Sequence, residues 1–145
     1  MRGAVFVAEK FRFSNGAEAK KLLVLLNNPN QGDPYFFVKT TSKQHRKPRE
    51  IGCIGDYHQV YFVKAKSDFF EIDTWIQLDD YFPFEPNYVT NYLHHKGELT
   101  EECTQKVVDC FLQINNDDLS PRMRKVFEPP LEQGIRALAD KFNRR

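Results

Sequence analysis

Between Lys21 and Ser42 the chain reads as two apolar stretches around a polar turn. Leu22 to Leu26 is a continuous apolar run, too short for a lone buried helix, and Tyr35 to Val38 is a second one. The segment between them, Asn27-Asn28-Pro29-Asn30-Gln31-Gly32-Asp33-Pro34, holds two prolines and a glycine, which continue neither ladder easily. The pattern predicts a buried strand, a wide turn and a second strand. In an antiparallel hairpin the start of one strand lies beside the end of the next. Lys20 and Lys21 should therefore meet Thr40, Thr41 and Ser42 at one rim of the sheet. Cations beside hydroxyls at a sheet end suit a phosphate.

Ahead of this hairpin, Ala4 to Ala8 is an apolar strand, and Lys10 to Phe13 is its continuation or a bend. Ser14-Asn15-Gly16 marks a turn. After the hairpin, Ile51 to Ile54 suggests a short strand and Gln59 to Lys64 a firmer one, rich in β-branched and aromatic residues. Asp73 to Leu78 alternates, placing Thr74, Ile76 and Leu78 on one face and Trp75 on the other. Pro83 and Pro86 argue against a regular strand beyond it. The last third changes period. Thr100 is a good N-cap, Glu101 and Glu102 suit a first turn, and Cys103, Val107, Val108, Phe111 and Leu112 recur at helical spacing. Asn115 to Asp118 ends that helix, and Ser120-Pro121 starts another. Leu131, Ile135, Leu138 and Phe142 form a final amphipathic stripe after Pro129-Pro130.

Strands followed by helices in 145 residues predict one domain, residues 1–145. The expected fold is mainly β with added C-terminal α: a small barrel over 1–90, covered by a helical extension over 99–143. The net charge is only +1, so any nucleic-acid binding must come from a local patch rather than from the whole surface. The 13 Phe and 6 Tyr suit a small β core and could also stack on bases. No apolar run is long enough for a membrane span, and the N-terminus lacks the features of a signal peptide. Three cysteines with no CxxC pair predict a reduced, cytoplasmic protein.

The candidate chemistry is basic. Lys43-Gln44-His45-Arg46-Lys47-Pro48-Arg49 is the dense basic run of the β portion, either an RNA-backbone contact or a solvated loop. His45 and His58 are the histidines of the β portion, and an imidazole can serve as acid or base near neutral pH. A metal site from His45, Cys53 and His58 lacks a fourth ligand and a recognisable spacing, so no cofactor is expected. His94-His95 reads as a surface pair. Trp75 is a stacking platform or, more in keeping with its strand, a core residue. Cys103 and Cys110 lie on one helical face and would pack as small hydrophobes.

Gly3-x-Val5-Phe6, then Gly16, then Lys21 ahead of the leucine-rich strand, then Thr40-Thr41-Ser42, resembles the PemK/MazF-type toxins, as does Asp73-Thr74-Trp75-Ile76-Gln77-Leu78. The resemblance spans roughly residues 3 to 80. It implies an SH3-like barrel, usually a homodimer, that cleaves single-stranded RNA without a metal and is neutralised by an antitoxin protein. It also implies Lys21, Thr41 and Ser42 as catalytic residues, with Lys20, Thr40, Lys43, His45, Arg46, Lys47 and Arg49 on the RNA. Two features depart from the family pattern. Lys21-Leu22 stands where Arg-Pro is usual, and lysine cannot make the planar bidentate contact that arginine makes to a phosphate. The C-terminal helical region is also longer. The alternative is a catalytically inert barrel that binds RNA or a protein partner through the same rim, or a module whose helices form the binding surface.

Overall fold

The computed structural model describes residues 1–30, 32–43 and 48–128. His45, Arg46, Lys47 and the stripe from Leu131 to Phe142 lie outside them. The described residues form eight antiparallel strands: β1 (Ala4–Arg12), β2 (Glu18–Leu25), β3 (Tyr35–Thr41), β4 (Gly52–Ile54), β5 (Val60–Val63), β6 (Thr74–Gln77), β7 (Phe82–Phe84) and β8 (Leu93–Glu98). Three helices accompany them, α1 (Pro86–Tyr92), α2 (Glu101–Ile114) and α3 (Pro121–Val126). The strands form one open sheet in the order β4-β5-β6-β3-β2-β1-β8, with β7 on β3. The molecule is thus mainly antiparallel β with a few short helices.

β1 is continuous, and its pairing to β2 shifts register between Ala8 and Phe11, so the continuation and the bend are both present. The hairpin forms with Leu23 opposite Lys39 and Leu25 opposite Phe37. Buried Asn27 ties its wide turn, donating to the Pro34 carbonyl at 3.2 Å and accepting from Phe36 N–H at 3.0 Å. β3 then divides its other edge. Residues 35–37 pair with β7, whereas Thr40 and Thr41 pair with Ile76 and Trp75 of β6.

The two faces carry separate cores. Val5, Val24, Val38 and Ile76 pack with Val107, Val108 and Phe111 of α2 and with Phe127 just after α3. Ala4, Leu23, Leu25 and Phe37 pack with Val89 of α1 and Leu93 of β8 on the opposite side. α2 begins as expected at Thr100, whose hydroxyl accepts from Cys103 N–H, and it ends at Asn115, which donates to the Leu78 carbonyl at 2.8 Å. Arg2 is buried and holds the start of α2 through Glu101 at 2.6 Å.

Three expectations need correction. Pro83 sits inside a strand, which is tolerated because β7 is three residues long and pairs on one side only, with β3. Pro86 does not merely end a strand; it opens α1, where its missing N–H costs nothing. Cys110 is not a free small hydrophobe, and the expectation of reduced cysteines does not hold for Cys53 and Cys110. β4 packs against α2, bringing the Cys53 and Cys110 Cα atoms to 5.6 Å, and the two form a disulfide. Cys103 is the free thiol. No helix among the described residues is long and apolar enough to cross a membrane.

Candidate phosphate-binding groove

The hairpin rim opens into a groove of about 920 Å³. Lys20, Lys21, Thr40, Thr41, Ser42 and Lys43 all line it, so the expected convergence of lysines and hydroxyls is present in space. The register explains why. The β2–β3 ladder ends at Leu23 opposite Lys39, and just beyond it the Lys21 ammonium reaches the Thr40 carbonyl and the Thr40 hydroxyl the Leu22 carbonyl.

Each rim residue has a distinct environment. Lys21 is half-buried; its Nζ donates to the Thr40 carbonyl at 3.3 Å and lies 5.7 Å from the Phe13 ring centre. Thr40 is buried, and its hydroxyl donates to the Leu22 carbonyl at 2.8 Å, so it braces the hairpin rather than facing a ligand. Thr41 Oγ1 accepts from Lys43 N–H at 3.2 Å, which leaves its own proton available to an acceptor in the groove. Lys20, Ser42 and Lys43 are exposed. Arg49 does not line the groove; it lies 3.9 Å from Asp73 on an exposed surface.

The opposite wall was not foreseen. It comes from Phe69, Phe70, Glu71 and Ile72, with Lys96 of β8 adding a fourth lysine to Lys20, Lys21 and Lys43. Asp68 fixes this wall, accepting from Thr100 N–H at 3.1 Å and from the Thr100 hydroxyl at 2.7 Å. The ring of Phe69 rests on Gly97, where a Cβ would lie 2.5 Å from it. Gly97 is therefore what lets the wall close on β8. Lys96 sits at the register shift between β1 and β8, since Phe6 pairs with His95 and Val5 with Gly97. The usable signal was the Lys96-Gly97 pair in a polar run: a glycine inside a strand marks a bulge or a close approach.

Other candidates fall elsewhere. Trp75 is buried, stacks on Phe62 at 5.0 Å and donates its indole N–H to the Pro48 carbonyl at 2.9 Å, so it is a core residue and not a base platform. His58 contacts Asp56 at 2.7 Å in the turn between β4 and β5. Hydrogen bonds from His58 hold the Asp56 carboxyl below its usual range. His95 is exposed and meets Phe6 edge-on at 5.3 Å. Cys103 borders a separate cavity of about 340 Å³ with Tyr61, Asp68 and Lys106. Burial, and then the neighbouring Asp68, push its thiol up to about 12. Among the described residues no cluster of three or more His, Cys, Asp or Glu side chains is placed to hold a metal ion.

Among the described residues the groove combines four cations, a hydroxyl donor, one lining carboxylate (Glu71) and an apolar wall. That set can hold an anionic ester with an apolar or aromatic substituent. No family model matches this chain, and no curated protein matches it.

Proposed function

We propose that the chain is an SH3-like barrel of the PemK/MazF type and a cytoplasmic endoribonuclease of a toxin–antitoxin or related defence system. It would cleave single-stranded RNA without a metal ion and act as a homodimer with an antitoxin as partner. The observation that carries this reading is the meeting of Lys20, Lys21, Lys43 and Lys96 with Thr41 and Ser42 in one groove. In the reaction, the ribose 2′-oxygen attacks the adjacent phosphorus and the 5′-oxygen leaves, giving a 2′,3′-cyclic phosphate and a 5′-hydroxyl end. Lys21 stabilises charge gathering on the non-bridging oxygens, and the Thr41 hydroxyl donates to one of them. Glu71 takes the 2′ proton, and a lysine ammonium or water supplies the proton to the leaving oxygen. The apolar wall of Phe69 and Ile72 carries the base.

One observation favours the inert binding module instead. The Lys21 ammonium already serves the Thr40 carbonyl and the Phe13 ring, so it braces the rim as well as facing the groove.

The deciding assay is cleavage of mixed-sequence single-stranded RNA in excess chelator. Lys21→Ala should lose on the order of 10²–10³ in rate while RNA affinity falls only modestly, because the charge it meets develops in the transition state. Lys21→Arg should keep or raise the rate by restoring a forked donor. If neither the intact chain nor Lys21→Arg cuts RNA, the ribonuclease reading fails and the binding module replaces it.

A further inference from the structure

The second cavity, of about 340 Å³, shares no lining residue with the groove. It lies between β5, the loop from β5 to β6, and the first two turns of α2. Ile51 and Val63 give it apolar sides, and Tyr61, Asp68, Cys103 and Lys106 bring polar groups to it. Ligand pockets span about 300–1,000 Å³, so this one suits a small ligand rather than a nucleotide. Tyr61 stands out among its residues. It is only 6% exposed, yet its hydroxyl has no hydrogen-bond partner among the described residues. A buried tyrosine hydroxyl ordinarily finds one. Burial, then Cys103, Asp68 and Glu102, push the phenol above its ordinary value, which sets it in the field of the cavity's own acidic side chains. The hydroxyl stays protonated and is open to a ligand atom.

Asp68 supplies the charge. Its Oδ1 accepts from the Phe69 and Thr100 N–H groups at 2.8 and 3.1 Å, and its Oδ2 accepts from the Thr100 hydroxyl at 2.7 Å. A carboxylate has about four acceptor positions, so one on Oδ2 is left over. The neighbouring Cys103 thiol is only a weak donor for it. Asp68 has no ion-pair partner among the described residues, because the cavity's ammonium, Lys106, pairs with Glu102 at 3.3 Å. Two carboxylates therefore line the cavity against one ammonium.

We propose that this cavity binds an alkylammonium group, carried either by a small free amine or by a lysine side chain of a partner. The ammonium donates to the remaining position on Asp68 and to the Tyr61 hydroxyl oxygen, and the alkyl chain lies along Val63 and Ile51. Asp68 repels an anion, and a neutral alcohol leaves its charge uncompensated. The site does not depend on the ribonuclease reading. It is joined to the groove all the same, since Phe69, the residue after Asp68, lines the groove's second wall.

The test follows the isotope-labelled full chain by NMR during titration with n-butylammonium chloride, with n-butanol and sodium butyrate as matched controls. The amide signals of Phe62, Thr100 and Cys103 should move together and saturate, with a dissociation constant of about 1 mM or tighter, a value open to a ligand this small. Both controls should bind at least about tenfold more weakly, since they lack the cation. Tyr61→Phe removes the hydroxyl and keeps the ring; it should weaken the amine about tenfold, as loss of a hydrogen bond to a charged group does. Asp68→Asn keeps an acceptor for Thr100 and should weaken it at least as much. Signals far from the cavity report whether each variant keeps the fold. N-acetyl-lysine N-methylamide, the second probe, carries the same ammonium on a peptide backbone. Binding as tight as the free amine's assigns the site to a partner's lysine, and much weaker binding assigns it to a free amine; the site stands in both cases. No saturation of those amides by about 50 mM amine, equal binding of n-butanol, or a folded Tyr61→Phe chain that binds as the parent does overturns the proposal.

Discussion

Single side chains set what the groove can hold and what the neighbouring cavity cannot do. The Cys103 thiol is kept neutral by burial and by Asp68, with a value raised from 9.0 to about 12. Thiolate is the reactive species, so Cys103 should alkylate far more slowly than a model thiol between pH 8 and 10. The same shift bears on stability. In the unfolded chain the thiol ionises through 9, in the folded chain only near 12. Its contribution is complete below pH 9 and is lost progressively as the pH rises from 9 to 12. Iodoacetamide labelling across that range, followed by mass spectrometry of the Cys103 peptide, checks the first point. Labelling at a model-thiol rate in the native protein would show that the cavity is open and the thiol unshielded. A lone cysteine at helical spacing pointed only to packing; its coupling to Asp68 depends on a loop brought from β5, which no local pattern reveals.

At the level of elements, the disulfide joins β4, a three-residue edge strand, to α2 across 57 residues of sequence. Closing a loop of that length stabilises a fold by about 4 kcal/mol in the chain-entropy model, with 2–4 kcal/mol more usual in practice. Cys53→Ser or a thiol reductant should therefore lower unfolding free energy by about 2–4 kcal/mol in urea titration. A midpoint unmoved by reductant would mean the bond closes no loop that matters. The elements read from sequence were those with strong local signals. Leu22–Leu26, Tyr35–Val38, Gln59–Lys64 and Asp73–Leu78 became β2, β3, β5 and β6, and Thr100 capped α2. The region from Phe82 to Glu98 was not legible in this way. Pro83 disguised β7, and Leu-His-His-Lys-Gly-Glu has one buried apolar residue, so β8 shows no alternation to find. β8 exists because β1 offers it an edge, a tertiary cause. For the same reason the lysine and hydroxyl rim could be anticipated from hairpin geometry, whereas Gly97 signalled only that something approaches closely there and not that Phe69 is what meets it. The pairing of Cys53 with Cys110 likewise follows from β4 lying on α2, which spacing alone does not encode.

For the molecule as a whole, charge is a matter of placement. The chain is nearly neutral at +1, yet among the described residues four lysines and a single lining carboxylate meet in the groove. RNA binding should therefore fall with salt, with a log–log slope of about −0.7 for each phosphate neutralised on a single strand. Replacing Lys20 and Lys96 by Gln should flatten that slope by roughly one to two units, since both line the groove from opposite walls. An unchanged slope would assign the electrostatic contact to another surface.

The pairing of β1 with β8 also imposes an order on synthesis. Lys20 and Lys21 leave the ribosome early, but Lys96 and the Gly97 seat of Phe69 follow roughly 75 residues later, some seconds at about 5–20 residues per second. A nascent chain that stops short of β8 carries Phe69 to Ile72 but lacks Lys96 and the Gly97 seat on which the Phe69 ring rests. The groove's full set of lysines is in place only once that last strand has paired with β1.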